Sequence, residues 1–394
     1  MSFWQVFLSS ARREAARYRQ SRWDLAMVSW VPLLSCALVW WIFSAGLPRQ
    51  LPIAVLDQDH SVLSRQLQRF LAATPGLKIV DAYDDVAQAM QALRRADVYA
   101  VVQTPPDFAR RIQLGQSAHV TLLHNAQLGT HSGLIQRDVR TAVAALSAGV
   151  EMRARHKHGQ AMLSTGVAME PMQTQLVTLF NGSLNYEQFL AAALIPAVLH
   201  ILAMTAGAWA IGRELRDATL GQWLGERPSS MQAGAALLGK MGWPLLSLGL
   251  VGVGALLGLT WGRGWHPPGS LLWVALGWLA LAALSLVMGG LAAVATMSLR
   301  SALSITGFIS APAFAFSGVG FALGSMPVLA RGWAQMLPYT HYVRLQMEQL
   351  QMGAPLRYSA PILAGLLAAT LLLGLSCAVL LGRAATQTDR WGGR

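Results

Sequence analysis

Leu271-Leu-Trp-Val-Ala-Leu-Gly-Trp-Leu-Ala-Leu-Ala-Ala-Leu-Ser-Leu-Val-Met-Gly-Gly-Leu-Ala-Ala-Val-Ala-Thr-Met297 decides the fold class. It lies inside a stretch, 264–299, of 36 residues without one Asp, Glu, Lys or Arg. A helix needs roughly 20 apolar residues to cross a hydrocarbon core about 30 Å thick. In lipid every N–H and C=O must be bonded inside the segment, so a lone span must be helical. Five further charge-free runs surround this one: 24 residues after Asp24, 25 after Glu187, 22 after Lys240, 30 from Ser301 and 25 after Arg357. The runs predict six spanning helices near 25–45, 188–212, 235–259, 271–297, 301–323 and 360–382.

Composition agrees. Of 394 residues, 54% are hydrophobic and 12% charged, too few charges to cover a water-soluble globule. Two cysteines exclude a disulfide framework and a multi-cysteine zinc site. The net charge of +12 lies in short blocks between apolar runs, which argues for membrane orientation and against a nucleic-acid-binding face. Thirteen cations fall on one side of the spans, from Arg12, Arg13, Arg17, Arg19 and Arg22 through Arg213, Arg216, Arg227, Lys240 and Arg300 to Arg383, Arg390 and Arg394. Five, Arg49, Arg263, Arg331, Arg344 and Arg357, fall on the other. The positive-inside rule then predicts both termini in the cytoplasm.

Residues 50–187 break the pattern, with 12 Lys/Arg and 11 Asp/Glu. They read as an inserted α/β domain outside the cytoplasm, within the limits 47–187. Strands are expected at 51–56, 77–80, 98–102 and 119–123. Ser61 and Asp84 should cap helices, and a long helix should run from about 132 to 163. Residues 1–23 form an interfacial piece, 24–46 the first span, 188–382 the remaining spans and 383–394 a tail.

Several groups invite a chemical reading. Asp57-Gln-Asp59-His60 ends a strand, where sites in open α/β sheets often lie, but a turn explains the same residues. His119, His124, His131 and His156-Lys-His158 lack ligand spacing. His200 sits inside a span, where an ionisable group draws suspicion, although neutral His also packs between helices. Gly234-Ala-Ala-Leu-Leu-Gly239-Lys240-Met241 resembles a phosphate-binding loop, but Met241 stands where a magnesium-binding Ser or Thr is needed. Nothing here predicts nucleotide hydrolysis, a cofactor or a metal in this chain. Gly249, Gly254, Gly258, Gly289 and Gly290 suit close helix packing.

Two cytoplasmic elements look purposeful. Residues 2–22 carry Phe3, Trp4, Phe7, Leu8 and Ala11 towards one face, with arginines following, as in a helix lying in the membrane interface. Residues 213–228 place Leu215, Ala218, Leu220, Trp223 and Leu224 beside Glu214, Arg216 and Asp217, a pattern suited to docking a soluble partner.

The order of these features resembles the type-2 ABC export permeases with a large extracytoplasmic domain after the first span. In that family Arg-Glu-x-x-x-Gly-Thr-Leu-Glu-Gln-Leu-Leu, then Pro, forms a coupling helix. Arg213, Glu214, Thr219, Leu220, Gln222, Leu224 and Pro228 match it, while Ala218, Gly221 and Trp223 depart from it. The strand ending in Asp57-x-Asp59 with Ser61, the Pro106-Asp107-Phe108 segment, Met326-Pro327 and Leu337-Pro338-Tyr-Thr-His-Tyr342 are also similar. The resemblance implies a bacterial inner-membrane permease that pairs with a second copy or a sister chain. Separate cytoplasmic ATPase subunits, which bind the ATP and Mg, would dock on 213–228 at Arg213, Glu214, Asp217, Thr219, Leu220, Trp223 and Leu224. It implies a re-entrant outer gate at 324–357, with Phe314, Phe316, Phe321, Pro327 and Pro338 as candidate gate residues, and a periplasmic membrane-fusion adaptor as a further partner. An amphiphilic or hydrophobic cargo would suit apolar spans. Two other readings stay open: an envelope sensor whose 47–187 domain binds a ligand, and a membrane enzyme using Asp57 and Asp59.

Overall fold

The computed structural model describes residues 2–114, 116–125, 129–157, 180–181, 185–225 and 228–392. It divides into two compact units, Leu47–Val177 and the remainder, Met1–Gly46 with Thr178–Arg394.

After α1 (Phe3–Gln20), α2 (Arg22–Val28) and α3 (Trp30–Phe43) of the larger unit, the smaller unit runs in order through β1 (Leu51–Asp57), α4 (Val62–Ala73), β2 (Leu77–Tyr83), α5 (Val86–Arg94), β3 (Ala100–Thr104), α6 (Phe108–Gln113), β4 (Thr121–His124) and α7 (Gly129–Lys157). The sheet order is β2-β1-β3-β4. β1 pairs in parallel with β2 and β3, because α4 and α5 are crossovers, and β4 returns antiparallel to β3. Ile53, Ala54 and Leu56 are fully buried, as expected of a central strand covered on both faces. Ser61 caps α4 by accepting from the Ser64 amide. Asp85, not Asp84, caps α5, its carboxylate accepting from Ala87 N. The expected end of the long helix, 158–163 with His158, lies outside the described residues.

The turn after β1 consumes its acids. Asp57 accepts from the amides of Asp59 and His60, both at 3.1 Å, from Ser64 Oγ at 2.7 Å and from Gln68 Nε2 at 3.0 Å. Asp59 accepts from Ala109 N at 3.2 Å. With those lone pairs occupied, the pair builds a turn. Both ring nitrogens of His124 are likewise engaged, with Ser132 Oγ at 2.7 Å and Gln136 Nε2 at 3.0 Å.

The larger unit is helical. α1 (Phe3–Gln20), α2 (Arg22–Val28) and α3 (Trp30–Phe43) precede the inserted unit; a π-turn, Glu187–Ala191, opens α8 (Ala192–Arg216) after it. Then come α9 (Leu220–Leu224), α10 (Ser230–Leu259), α11 (Leu271–Thr296), α12 (Leu299–Ser310), α13 (Val328–Met336), α14 (Pro338–Leu350) and α15 (Leu356–Ala385). Among the described residues four helical stretches are long and apolar enough to cross a membrane: Glu187–Arg216, Ser230–Arg263, Leu271–Thr296 and Leu356–Ala385. The pair α2–α3, bent by 41°, makes a fifth. The chain is thus a helical membrane protein. The bend frees the Val28 carbonyl, which accepts from Ser247 Oγ.

The expected continuous span at 301–323 is not formed. α12 is 12 residues long, about 18 Å, which is short of the hydrocarbon thickness. Turns follow it, with Phe316 N bonding Pro312 O and Ser317 N bonding Phe314 O. Pro312, which has no N–H to continue the ladder, and Gly318, at φ +90°, stop a helix that charge counting alone would extend.

α8 and α11 cross closely. A Cβ at Gly207 would stand 2.0 Å from Leu286 O, and one at Gly289 1.9 Å from Met204 O. Gly249 and Gly290 also meet neighbours, Leu279 and Ile211. A Cβ at Gly254 or Gly258 would meet nothing within 4 Å among the described residues.

Candidate functional site

The 213–228 hairpin is organised from α8. The helix ends in a Schellman closure: Thr219 N bonds Glu214 O at 2.9 Å, and Ala218 N bonds Leu215 O at 3.3 Å. The residue between cap and closure must be left-handed, and Ala218 has φ +54°. The short α9 follows and stops at Gly225, at φ +80°. Glu226 and Arg227 lie outside the described residues.

α1 packs against α10 and supplies the floor. Its N-terminus is closed by a capping box between Ser2 and Gln5. Gly239 permits the approach: a Cβ there would stand 2.4 Å from Phe7 O. Ser10 Oγ donates to Ala236 O at 2.7 Å and accepts from Trp223 Nε1 at 2.8 Å, which ties α1, α9 and α10 together. The Gly239-Lys240 pair that imitates a phosphate loop is therefore a packing device with an ion beside it.

That ion organises a buried lattice. Lys240 Nζ donates to Glu14 Oε2 and to Glu214 Oε1, both at 2.8 Å, and stands 4.5 Å from the Trp223 ring centre. Arg17 pairs with Glu214 at 2.6 Å and Arg13 at 3.3 Å. Thr219 Oγ1 donates to Glu214, and Arg213 pairs with Asp24. Trp209 Nε1 donates to Asp24 Oδ1 at 2.9 Å. Glu14, Asp24, Arg213, Glu214 and Lys240 are all buried. Burial, with Glu14 alongside, pushes the Tyr18 phenol well above its ordinary value, so Tyr18 remains a neutral wall of the lattice.

The hairpin residues thus divide. Arg213, Glu214, Leu220 and Trp223 are buried inside the chain, Thr219 is spent on Glu214, and Leu224 is half-buried against the core. Arg216, Asp217 and Gln222 are exposed, with Arg216 Nε 2.8 Å from Asp217 Oδ1. A substitution such as Glu214→Arg or Leu220→Arg would disturb the chain's own packing before it reached any partner. The tail adds a brace the sequence did not suggest: Gly392 N donates to Leu215 O at 2.9 Å, and Trp391 lies against Gly221.

At the opposite end of α8, Glu187 of the opening π-turn pairs with Arg263 at 2.9 Å and accepts from Trp40 Nε1 at 2.8 Å, and the carbonyls beside Pro196 are closed by neutral side chains. Pro196 has no N–H for Ala192 O, and Gln346 Nε2 of α14 supplies one at 2.6 Å. Tyr339 Oη donates to Ala193 O at 2.6 Å. His200 stacks on Tyr339 and pairs through Nδ1 with Ser285 Oγ at 2.6 Å, which is the helix-packing role. Of the residues considered for a gate, Phe314 and Phe316 pack on the bundle, and Pro338 is the buried first residue of α14. Phe321, 55% exposed, and Pro327, which precedes α13, lie on the surface.

A family model described as ABC-2 family transporter protein matches residues 22–381. No curated protein and no solved structure matches the chain.

Proposed function

The chain belongs to the ABC-2 family of transporters, and from that premise we propose that it is the permease subunit of an ATP-driven exporter. One observation carries the reading: the hairpin is pinned from within by Trp223, Leu220 and the Lys240–Glu214 contact while Arg216, Asp217 and Gln222 face outward. A hairpin so braced is a lever. Force applied to its outer face passes into α8, α10 and α1 together, because all three share the lattice.

On this reading both termini are cytoplasmic. α12 and the turns after it complete a sixth, broken crossing. Two copies, or this chain with a sister, form a path between them, and separate ATPase subunits seated under the hairpins bind ATP and Mg. ATPase closure tilts α8 and α10 and alternates the exposure of the path. The 47–177 unit then lies outside the inner membrane, available to a membrane-fusion adaptor. The segment 324–357, with Pro327 and Pro338 at its bends and Phe321 uncovered just before it, forms the outer gate. An amphiphilic or hydrophobic molecule suits the apolar bundle as cargo.

The test is coexpression with a candidate ATPase. Asp217→Arg with Gln222→Arg should lower copurification of the ATPase and the ATP hydrolysis of the complex, while the chain alone keeps its chromatographic profile. Undiminished copurification would overturn the docking face. A wild-type chain that captures no ATPase would favour the sensor reading.

A further inference from the structure

α1 has a second face that the lattice does not use. Arg13 and Arg17 turn inward to Glu214. Arg12 and Arg19, seven residues apart on the other side, are exposed, and among the described residues neither has a carboxylate partner. Between them α1 and Trp243 of α10 border an open groove of about 550 Å3 that both arginines line. A second compartment of about 400 Å3 adjoins it, sharing Ala15, Arg19 and Trp243, and continues along Leu246 and Leu250 into apolar surface.

Depth along α10 identifies the setting. Trp243, about halfway along α10, and Trp261, just past its end, are both exposed and separated by about 27 Å at the helical rise. That approaches the hydrocarbon thickness, and tryptophans favour the two interfaces. Trp243 therefore stands at headgroup level in the leaflet beside the termini, and its Nε1 is held by Ala11 O at 3.0 Å. The groove accordingly offers two unneutralised cations at headgroup depth and an apolar trough running from them towards mid-membrane.

We propose that Arg12, Arg19 and Trp243 form a binding site for one anionic phospholipid, with the phosphate between the two guanidinium groups and an acyl chain along Leu246 and Leu250. An acidic protein surface would answer the charge but would leave the apolar trough unfilled. A zwitterionic lipid would fill the trough, but the charge of its phosphate is offset by its own ammonium. The site needs no ATPase, so its fate is separable from that of the hairpin.

Native mass spectrometry of the full-length chain in neutral detergent, titrated with phosphatidylglycerol or phosphatidylcholine, tests it. The expected result is one retained phosphatidylglycerol, bound in clear preference to phosphatidylcholine. Arg12→Gln with Arg19→Gln should weaken it by about 30-fold, two cations at roughly 1 kcal/mol each near an anionic surface. Arg300→Gln with Arg383→Gln removes the same charge elsewhere and should leave binding unchanged. Equal retention of the two lipids, or equal loss in both double variants, would overturn the site. So would phosphatidylglycerol binding that survives Arg12→Gln with Arg19→Gln.

Discussion

The two ends of α8 solve the same problem differently. At Glu214 the helix is anchored by a lattice in which Lys240, Arg17 and Arg13 converge on one carboxylate. At Ala192 and Ala193 the backbone opened by Pro196 is closed by the neutral side chains of Gln346 and Tyr339. Buried ions are costly to leave alone, whereas a neutral amide lost from a carbonyl costs one hydrogen bond and its desolvation. The charged end should consequently behave as one rigid body with α1 and α10. At the other end Glu187 is held by Arg263, but the carbonyls beside Pro196 can exchange their neutral partners at lower cost. For a machine driven from the hairpin, this asymmetry puts stiffness where force enters and compliance at Pro196.

The largest expected effect tests the stiff end. Lys240→Met retains length and apolar volume but leaves Glu14 and Glu214 short of their shared cation. Breaking a buried pair by removing one partner costs about 3–5 kcal/mol. Thermal unfolding in detergent should shift down accordingly, and Glu214→Gln added to Lys240→Met should lower it further, because Arg17 and Arg13 then lose the carboxylate they share. A Lys240→Met chain as stable as the wild type would mean that the lattice does not hold this end.

How far the sequence foretold these ends differs for physical reasons. Charge-free runs marked α8, α10, α11 and α15 because lipid tolerates little else, and the βα alternation marked the small unit because strand and helix periods differ. The continuous span expected at 301–323 was misread because a charge count is blind to Pro312 and Gly318, whose backbone limits interrupt that run after α12. The lattice escaped notice because its partners are 201 residues apart for Arg13–Glu214 and 226 for Glu14–Lys240. A signal existed: Lys240 opens an apolar run, Asp24 precedes another, and Glu14 stands among arginines. Ions in such places need partners. The family motif around Glu214 and Leu220 suggested contact with another protein, but a motif does not say which of its residues face inward.

A middle-sized effect probes the compliant end. Gln346→Leu strands the Ala192 carbonyl and should cost about 1–3 kcal/mol. Pro196→Ala restores an N–H to that carbonyl along the helix, so Gln346→Leu should cost less in the Pro196→Ala background. A double-mutant cycle on thermal stability measures the difference. Additive effects would mean that Gln346 does not replace the hydrogen bond that proline removes.

The smallest effect asks whether the hairpin's stiffness is ionic or is set in part by its backbone. Ala218 occupies the left-handed position of the Schellman closure, where a Cβ crowds the following carbonyl and glycine carries no such penalty. Ala218→Gly relieves that crowding but gives the unfolded chain more freedom, which offsets part of the gain. A net stabilisation of about 0.5–1 kcal/mol is expected. Ala218→Val, branched at Cβ, should move stability the other way. Thermal unfolding of the three chains side by side reads the order Gly above Ala above Val. Were Ala218→Gly to lower stability instead, the closure would not be limited by its left-handed residue, and the lattice around Glu214 would fix the hairpin alone.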